Sequence, residues 1–118
     1  RDFVYVTDVA NAMVTAGLSS IKNEIFNVGT GSPQSVNMLV SLLGGEKIHI
    51  PKRPGEPDCT WADIRKIKSV LHWEPKVSFP EGVQGILKHI DYWKDAPVWT
   101  PATIEKATEE WFKYLVKN

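Results

Sequence analysis

Apolar residues recur along this chain at two periods, one strand-like and one helical, with turn residues at the changes. Phe3-Val4-Tyr5-Val6 is aromatic and β-branched and predicts a strand. Thr7 then offers an N-cap. Val9, Ala12, Met13 and Ala16 follow at helical spacing, and Gly17 is the expected stop. Glu24 to Val28 predicts a second strand, broken by Gly29-Thr30-Gly31-Ser32-Pro33. Ser35 caps a helix that puts Val36, Leu39, Val40 and Leu43 on one face and ends at Gly44-Gly45. Lys47 to Pro51 alternates Ile48 and Ile50 with Lys47 and His49, as a half-exposed strand does. Lys52-Arg53-Pro54-Gly55-Glu56-Pro57-Asp58 has two prolines and a glycine among charges and must be a loop.

In the second half Asp63 is placed to cap a short helix with Ile64, Ile67 and Leu71. Ser78-Phe79-Pro80-Glu81 is a capping box with Pro in the first turn, and Val83, Ile86, Ile90 and Trp93 form the expected buried stripe. Thr100-Pro101 opens a last helix with Ile104, Ala107, Trp111 and Leu115 on one face. The sum is a helix-rich α/β chain with about three short strands. Three strands separated by long helical segments make a poor independent sheet. They are expected to be edge pieces of a sheet completed elsewhere. The chain opens Arg1-Asp2-Phe3 directly in strand-like sequence, so it is expected to be a fragment with a preceding domain removed.

Composition narrows the function classes. Fourteen basic and fourteen acidic residues cancel, which leaves no broad electrostatic footprint for nucleic acid or an anionic membrane. The single Cys59 excludes an internal disulfide and fits a reducing compartment. No apolar run approaches the ~20 residues that span a bilayer. A cytoplasmic location is expected, with neither nucleic acid nor membrane as partner.

Most catalytic signatures are absent. Gly29-Thr30-Gly31 lacks the third glycine of a dinucleotide fingerprint, because Gln34 holds that place, and it is expected to be a tight turn. There is no P-loop, the histidines at 49, 72 and 89 are scattered, and one Cys builds no zinc cluster. The Tyr-x-x-x-Lys pair of nicotinamide-dependent enzymes is missing, since Val9, Ala96 and Asn118 stand four residues after the three tyrosines.

Two arginines have restricted settings. Arg1 heads a predicted strand, and Arg53 follows one in a loop stiffened by Pro and Gly. A guanidinium fork matches phosphate oxygens at two points, and such a charge-assisted bond is worth roughly 1.5–3 kcal/mol net. Two converging forks would suit a diphosphate, and Glu56 could accept from a ribose diol. Solvated loop arginines are the plainer alternative.

Five blocks then share one order. Arg1-Asp2-Phe3-Val4-Tyr5-Val6-Thr7-Asp8-Val9 is followed by Ile25-Phe26-Asn27-Val28-Gly29-Thr30-Gly31 and then Arg53-Pro54-Gly55-Glu56. Next come Trp61-Ala62-Asp63-Ile64-Arg65-Lys66 and Leu71-His72-Trp73-Glu74-Pro75. Over residues 1–94 this order resembles the extended short-chain dehydrogenase/reductases, the NAD-dependent nucleotide-sugar epimerases and dehydratases. The resemblance implies that residues 1–94 are the C-terminal substrate-binding part of such an enzyme, with 95–118 an extra helix. It also implies a missing N-terminal Rossmann domain that holds the NAD(P) and the catalytic Tyr and Lys. By the same resemblance Arg1 and Arg53 contact the substrate diphosphate and Glu56 the ribose, one methylene longer than the Asp frequent in relatives. Phe3 and Thr60 fall at pocket-lining positions, Thr60 replacing an aromatic.

The expected function is therefore to bind the nucleoside diphosphate of a nucleotide-sugar within an NAD-dependent epimerase or 4,6-dehydratase. The chain alone would be inactive and would not bind the cofactor. A non-catalytic nucleotide-binding module and a helical interaction module stand as alternatives. Asp8 is read as an acid favoured by the helix dipole, and Trp61 and Trp73 as core. Self-association is expected along a broken edge carrying Phe3, Tyr5 and Phe26.

Overall fold

A computed structural model describes residues 1–52 and 54–115. Among them are five α-helices: α1 (Val6–Leu18), α2 (Val36–Leu43), α3 (Arg65–Leu71), α4 (Phe79–Leu87) and α5 (Pro101–Leu115), with a 3₁₀ turn at Ile90–Trp93. The chain divides into two compact units. Arg1–Gly45 and Cys59–Lys88 form the first, and Glu46–Asp58 with the chain from His89 onward forms the second.

The first unit is organised around Ala12 of α1, Ile67 and Leu71 of α3, and Trp73, with Ala16, Phe26, Val28 and Ile64 packed against them. Trp73 is only 3 % exposed, as its sequence setting implied. Its indole Nε1–H finds no acceptor among the described residues, which costs about 1–3 kcal/mol. Burying ~200 Å² of ring at ~25 cal/mol per Å² returns about 5 kcal/mol, so the residue stays inside.

The helices follow their local signals closely. The Ser35 side chain accepts from the Met38 N–H at the start of α2, and Gly44 and Gly45 end it with φ of +79° and +93°. Ser78 and Glu81 close a complete capping box on α4, with Pro80 in the first turn, and α2 packs against α4. The start of α1 differs from expectation. The helix begins at Val6, with Tyr5 as N-cap and no side-chain cap, rather than at Thr7. The extended Tyr5 backbone lets its carbonyl accept from the N–H groups of Asp8 and Val9. Its ring lies against Gly82 and Gly85 of α4, which leave room for it by lacking a Cβ.

None of the three expected strands forms among the described residues. A strand exists only when a neighbour meets its N–H and C=O groups, whereas aromatic and β-branched content reports only a local preference. Phe3–Val6 is interrupted by the start of α1. Glu24–Val28 sends Phe26 and Val28 into the core beside helices. Lys47–Pro51 stays open, with Ile48 and Ile50 exposed. The nearest approach to pairing is a single exchange in which Arg1 N donates to the Gln34 carbonyl at 2.7 Å and Gln34 N to the Arg1 carbonyl at 2.8 Å.

Three other expectations change. Asp8 does stand in the first turn of α1, but it is buried, and Oδ2 accepts from the Val77 N–H at 3.0 Å. It ties α1 to the entry of α4 instead of merely sitting in a dipole. The stripe of Val83, Ile86, Ile90 and Trp93 is cut because α4 stops at Leu87; Val83 is buried, whereas the other three are about half exposed. Phe3, Tyr5 and Phe26 are half-buried against their own unit, Phe3 stacking on Phe79 with ring centroids 5.0 Å apart. The exposed apolar surface of this unit includes Val6, Met13, Val14 and Leu18 of α1.

In the second unit Thr100 and Thr103 cap α5 reciprocally, the Thr103 N–H donating to Thr100 Oγ1 and the Thr100 N–H to Thr103 Oγ1. Its half-buried stripe is Ile104, Thr108 and Phe112; Ala107 is exposed. No described helix is long and apolar enough to cross a membrane.

Gly29 and Gly17 make a paired test. A Cβ on buried Gly29 would lie 2.6 Å from the Ala62 Cβ and 2.7 Å from Asp2 Oδ2, whereas one on Gly17 meets nothing within 4 Å. Gly29→Ala should cost about 1–3 kcal/mol by overpacking, and Gly17→Ala should gain up to ~1 kcal/mol of helix stability. Urea midpoints that move in the same direction for both would contradict this packing.

Candidate functional site

The site begins with a carboxylate. The turn at Gly29-Thr30-Gly31, with Gly31 at φ +68°, aims two backbone N–H groups at Asp2. Thr30 N donates to Oδ1 at 2.7 Å and Gly31 N to Oδ2 at 3.0 Å, and the Thr30 hydroxyl gives Oδ1 a second bond. Ala62 N donates to Oδ2 at 3.0 Å from a distant stretch of chain. Burial pushes the Asp2 carboxyl up, but the bonds from Thr30, Ala62 and Gly31 together outweigh it and hold its pKa below the ordinary carboxylate value. The glycine turn therefore serves an internal anion, in keeping with the tight turn expected there.

This junction sets the walls of an open cleft of about 520 Å³ lined by Arg1, Asp2, Phe26, Asn27, Val28, Thr60, Trp61 and Ala62. Arg1 and Thr60, remote in sequence, thus share one surface. Trp61 is 64 % exposed and is not core. From 61 to 64 the chain alternates outward and inward, with Ala62 and Ile64 facing the unit and Trp61 and Asp63 facing out. Ala62 takes the inward place because its methyl fills the space that Gly29 leaves, while its N–H serves Asp2. That alternation was the sequence signal that could have placed Trp61 in the cleft.

Neighbouring groups stiffen the wall. Asn27 Nδ2 donates to the Asp63 carbonyl at 3.4 Å. Lys66 Nζ lies 5.3 Å from the Phe26 ring centroid and 2.7 Å from Glu24 Oε2. At the start of α3 the Arg65 N–H donates to Asp63 Oδ1 at 3.0 Å. The forked bond from the Arg65 side chain, with that backbone bond, lowers the Asp63 carboxyl to about 2. Asp63 is not the N-cap expected of it: that place falls to Ile64, which makes no side-chain cap, and Asp63 instead accepts from the first helical N–H from one residue further out.

The remaining expected site residues lie elsewhere. Phe3 does not line the Arg1–Thr60 cleft; it borders a separate groove of about 430 Å³ with Thr30, Gln34, Met38 and Phe79. Glu56 is half-buried in the second unit, just after a turn with Gly55 at φ +74°. Arg53 lies outside the described residues. Asp2, Phe26, Asn27, Val28, Trp61 and Ala62 are the cleft residues to which the sequence assigned no site role. Among the described residues no group of three or more His, Cys, Asp or Glu side chains could hold a metal ion.

No family model matches the chain. Individual proteins do. A putative UDP-glucose 4-epimerase of Methanocaldococcus jannaschii is 41 % identical over 93 residues, which is 74 % of this chain and 30 % of the relative. The UDP-glucuronate 4-epimerase of Thermodesulfobacterium geofontis is 36 % identical over 91 residues, 71 % of this chain and 28 % of its own length. UDP-glucuronic acid decarboxylase 1 of Xenopus tropicalis is 31 % identical, covering 80 % of this chain and 23 % of that protein. The crystal structure of a UDP-glucose 4-epimerase from Thermotoga maritima with UDP-glucose superimposes with a TM-score of 0.71 at 38 % identity, over 78 % of this chain and 31 % of that one. Fold and sequence together define the class as extended short-chain dehydrogenase/reductase. Within it the chain belongs to the nucleotide-sugar epimerase and decarboxylase family, matching the C-terminal part of its relatives. It spans less than a third of their length.

Replacing Asp2 tests the junction. Asp2→Asn offers one acceptor and two unwanted donors to a cluster of N–H groups, and should cost about 2–4 kcal/mol at neutral pH. The folded Asp2 pKa lies below its ordinary value. Its contribution is therefore complete above the unfolded pKa of ~3.9 and is lost as pH falls through the folded value. The stability gap between the unsubstituted chain and Asp2→Asn should narrow below about pH 4. A gap that stays constant into acid would remove the carboxylate's role.

Proposed function

We propose that this chain supplies nucleoside-diphosphate contacts of an NAD-dependent nucleotide-sugar epimerase or dehydratase. The observation that supports it most is the cleft that Arg1 and Thr60 share, two residues of the family-like motifs that are remote in sequence. In this proposal the Arg1 guanidinium contacts the diphosphate, and Thr60 and the exposed Trp61 face offer a hydroxyl and a stacking surface to the nucleoside. From the second unit Arg53 is assigned a diphosphate contact and Glu56 a ribose contact. Phe3 keeps a pocket-lining role beside Phe79. Binding energy collected on the nucleotide, remote from the reacting sugar carbon, serves to position that carbon. Membership in the family, and a Thermotoga maritima relative whose structure contains UDP-glucose, support the same substrate class.

The chemistry itself is assigned to residues outside this chain, so the chain alone is expected to be inactive. The Gly29-Thr30-Gly31 turn does not suit the family's NAD(P). The N–H groups of Thr30 and Gly31 already serve the Asp2 carboxylate, and a dinucleotide phosphate would have to displace it.

Titration of the chain with UDP, followed by amide and indole chemical shifts, tests the site. Thr60, Trp61 and Asn27 should shift with a Kd of ~1 mM or weaker, which is about −4 kcal/mol. Arg1→Ala should weaken this at least tenfold, since a charge-assisted phosphate contact is worth roughly 1.5–3 kcal/mol. Shifts confined to other surfaces, or indifferent to Arg1→Ala, would sink the assignment.

Calorimetry with NAD gives a separate check. No saturable heat is expected at millimolar cofactor, and a saturable isotherm would place cofactor contacts in this chain after all.

A further inference from the structure

The loop that carries the second set of expected nucleotide contacts has an unusual anchor. Its turn passes through Pro54 and Gly55, with Gly55 at φ +74°, and an ion pair between Lys52 and Asp58 joins its two arms. The apolar side chains leading into it hold little, since Ile48 is 72 % and Ile50 46 % exposed. Trp111 reaches this turn from α5, 57 residues further along the chain, and donates its indole Nε1–H to the Pro54 carbonyl at 2.9 Å. That carbonyl belongs to the residue directly after Arg53 and lies two residues before Glu56. Phe and Tyr could not make the same bond, because Phe has no ring donor and the Tyr hydroxyl sits at the far end of its ring.

Burial does not explain the position of Trp111, which is 40 % exposed. The helix is instead seated by Ile104, Thr108 and Phe112, its half-buried stripe, and its first turn is locked by Thr100 and Thr103. Trp111 stands one residue before Phe112, off that stripe, so the register that seats the helix presents the indole at its margin.

We infer that Trp111 is a positioning residue: its indole N–H orders the turn between Arg53 and Glu56, so that α5 sets the affinity of the chain for a nucleoside diphosphate. The affinity part rests on the roles proposed above for Arg53 and Glu56; the ordering of the turn does not. An exposed, stiffened loop gains affinity when it is held in its binding conformation before the ligand arrives. One neutral hydrogen bond at a partly exposed site corresponds to about a two- to tenfold effect.

Two readouts on the 118-residue chain separate the parts. Without ligand, trypsin cleavage after Lys52 reports opening of the loop, because proteolysis tracks the open population; the following Arg53–Pro54 bond resists the enzyme. Trp111→Phe, which keeps an aromatic ring and removes the donor, should speed this cut about two- to tenfold, with the helical circular dichroism unchanged. Trp111→His restores a ring N–H and should recover part of the protection. Trp99→Phe, at an exposed position of the same unit, should do nothing. With UDP as probe, Trp111→Phe should raise Kd by the same two- to tenfold. An unchanged cleavage rate in Trp111→Phe, or a Trp111→His variant as open as Trp111→Phe, overturns the positioning role whatever UDP does. Faster cleavage with unaltered UDP binding, or no UDP binding by the unsubstituted chain, overturns instead the link to affinity and the nucleotide role of Arg53 and Glu56.

Discussion

The first unit depends on one negative charge. Asp2 gathers N–H donors from the 29–31 turn and from Ala62, three stretches of chain with no regular secondary structure to join them. A carboxylate is suited to this because it accepts several bonds at once and strengthens each by its charge. Gly29 is the steric counterpart: its missing Cβ leaves the space in which the Ala62 methyl and the Asp2 carboxyl meet. The neighbouring exchange between Arg1 and Gln34 then holds the backbone of Arg1 in place. The cleft is a consequence of this junction, since Arg1, Asn27, Thr60 and Trp61 all lie within two residues of it or its packing partners.

A second carboxylate works the same way at the other end of the unit. Asp8, buried on α1, takes the Val77 N–H and fixes the chain as it enters the capping box of α4. Short acidic side chains thus do in this unit what strand ladders do in a sheet. They satisfy backbone donors that would otherwise be buried without partners, and each such donor costs about 1–3 kcal/mol if left alone. Seen this way, the lack of strands among the described residues leaves the backbone less exposed than it first suggests.

The second unit is organised differently. Its helix is amphipathic and its loop polar; an indole hydrogen bond from Trp111 reaches the loop, and an ion pair joins the loop's own arms. Segment 46–58 groups with the chain beyond residue 88 rather than with the residues that flank it. Sequence proximity and structural partnership part company here, because a loop of Pro, Gly and charged residues has too little apolar surface to choose a partner by burial.

Helices α2, α4 and α5 were legible from residues alone, because Ser35, the Ser78–Glu81 box, Thr100-Pro101 and Gly44-Gly45 act within a turn or two of themselves. The order of motifs likewise identified the family. Strands were not legible because pairing is a property of two segments, and Phe3–Val6, Glu24–Val28 and Lys47–Pro51 each carry only one side of that condition. Trp61 and Trp73 show the same limit: both are tryptophans in family-like blocks, yet one is exposed and the other buried. Ala62 turns inward to meet Gly29 and Asp2 and leaves its neighbour Trp61 facing out, whereas Trp73 packs with Ala12, Ile67 and Leu71. Local signals encode what a backbone does with its near neighbours; which side chains meet is decided only when distant donors and acceptors must be satisfied together.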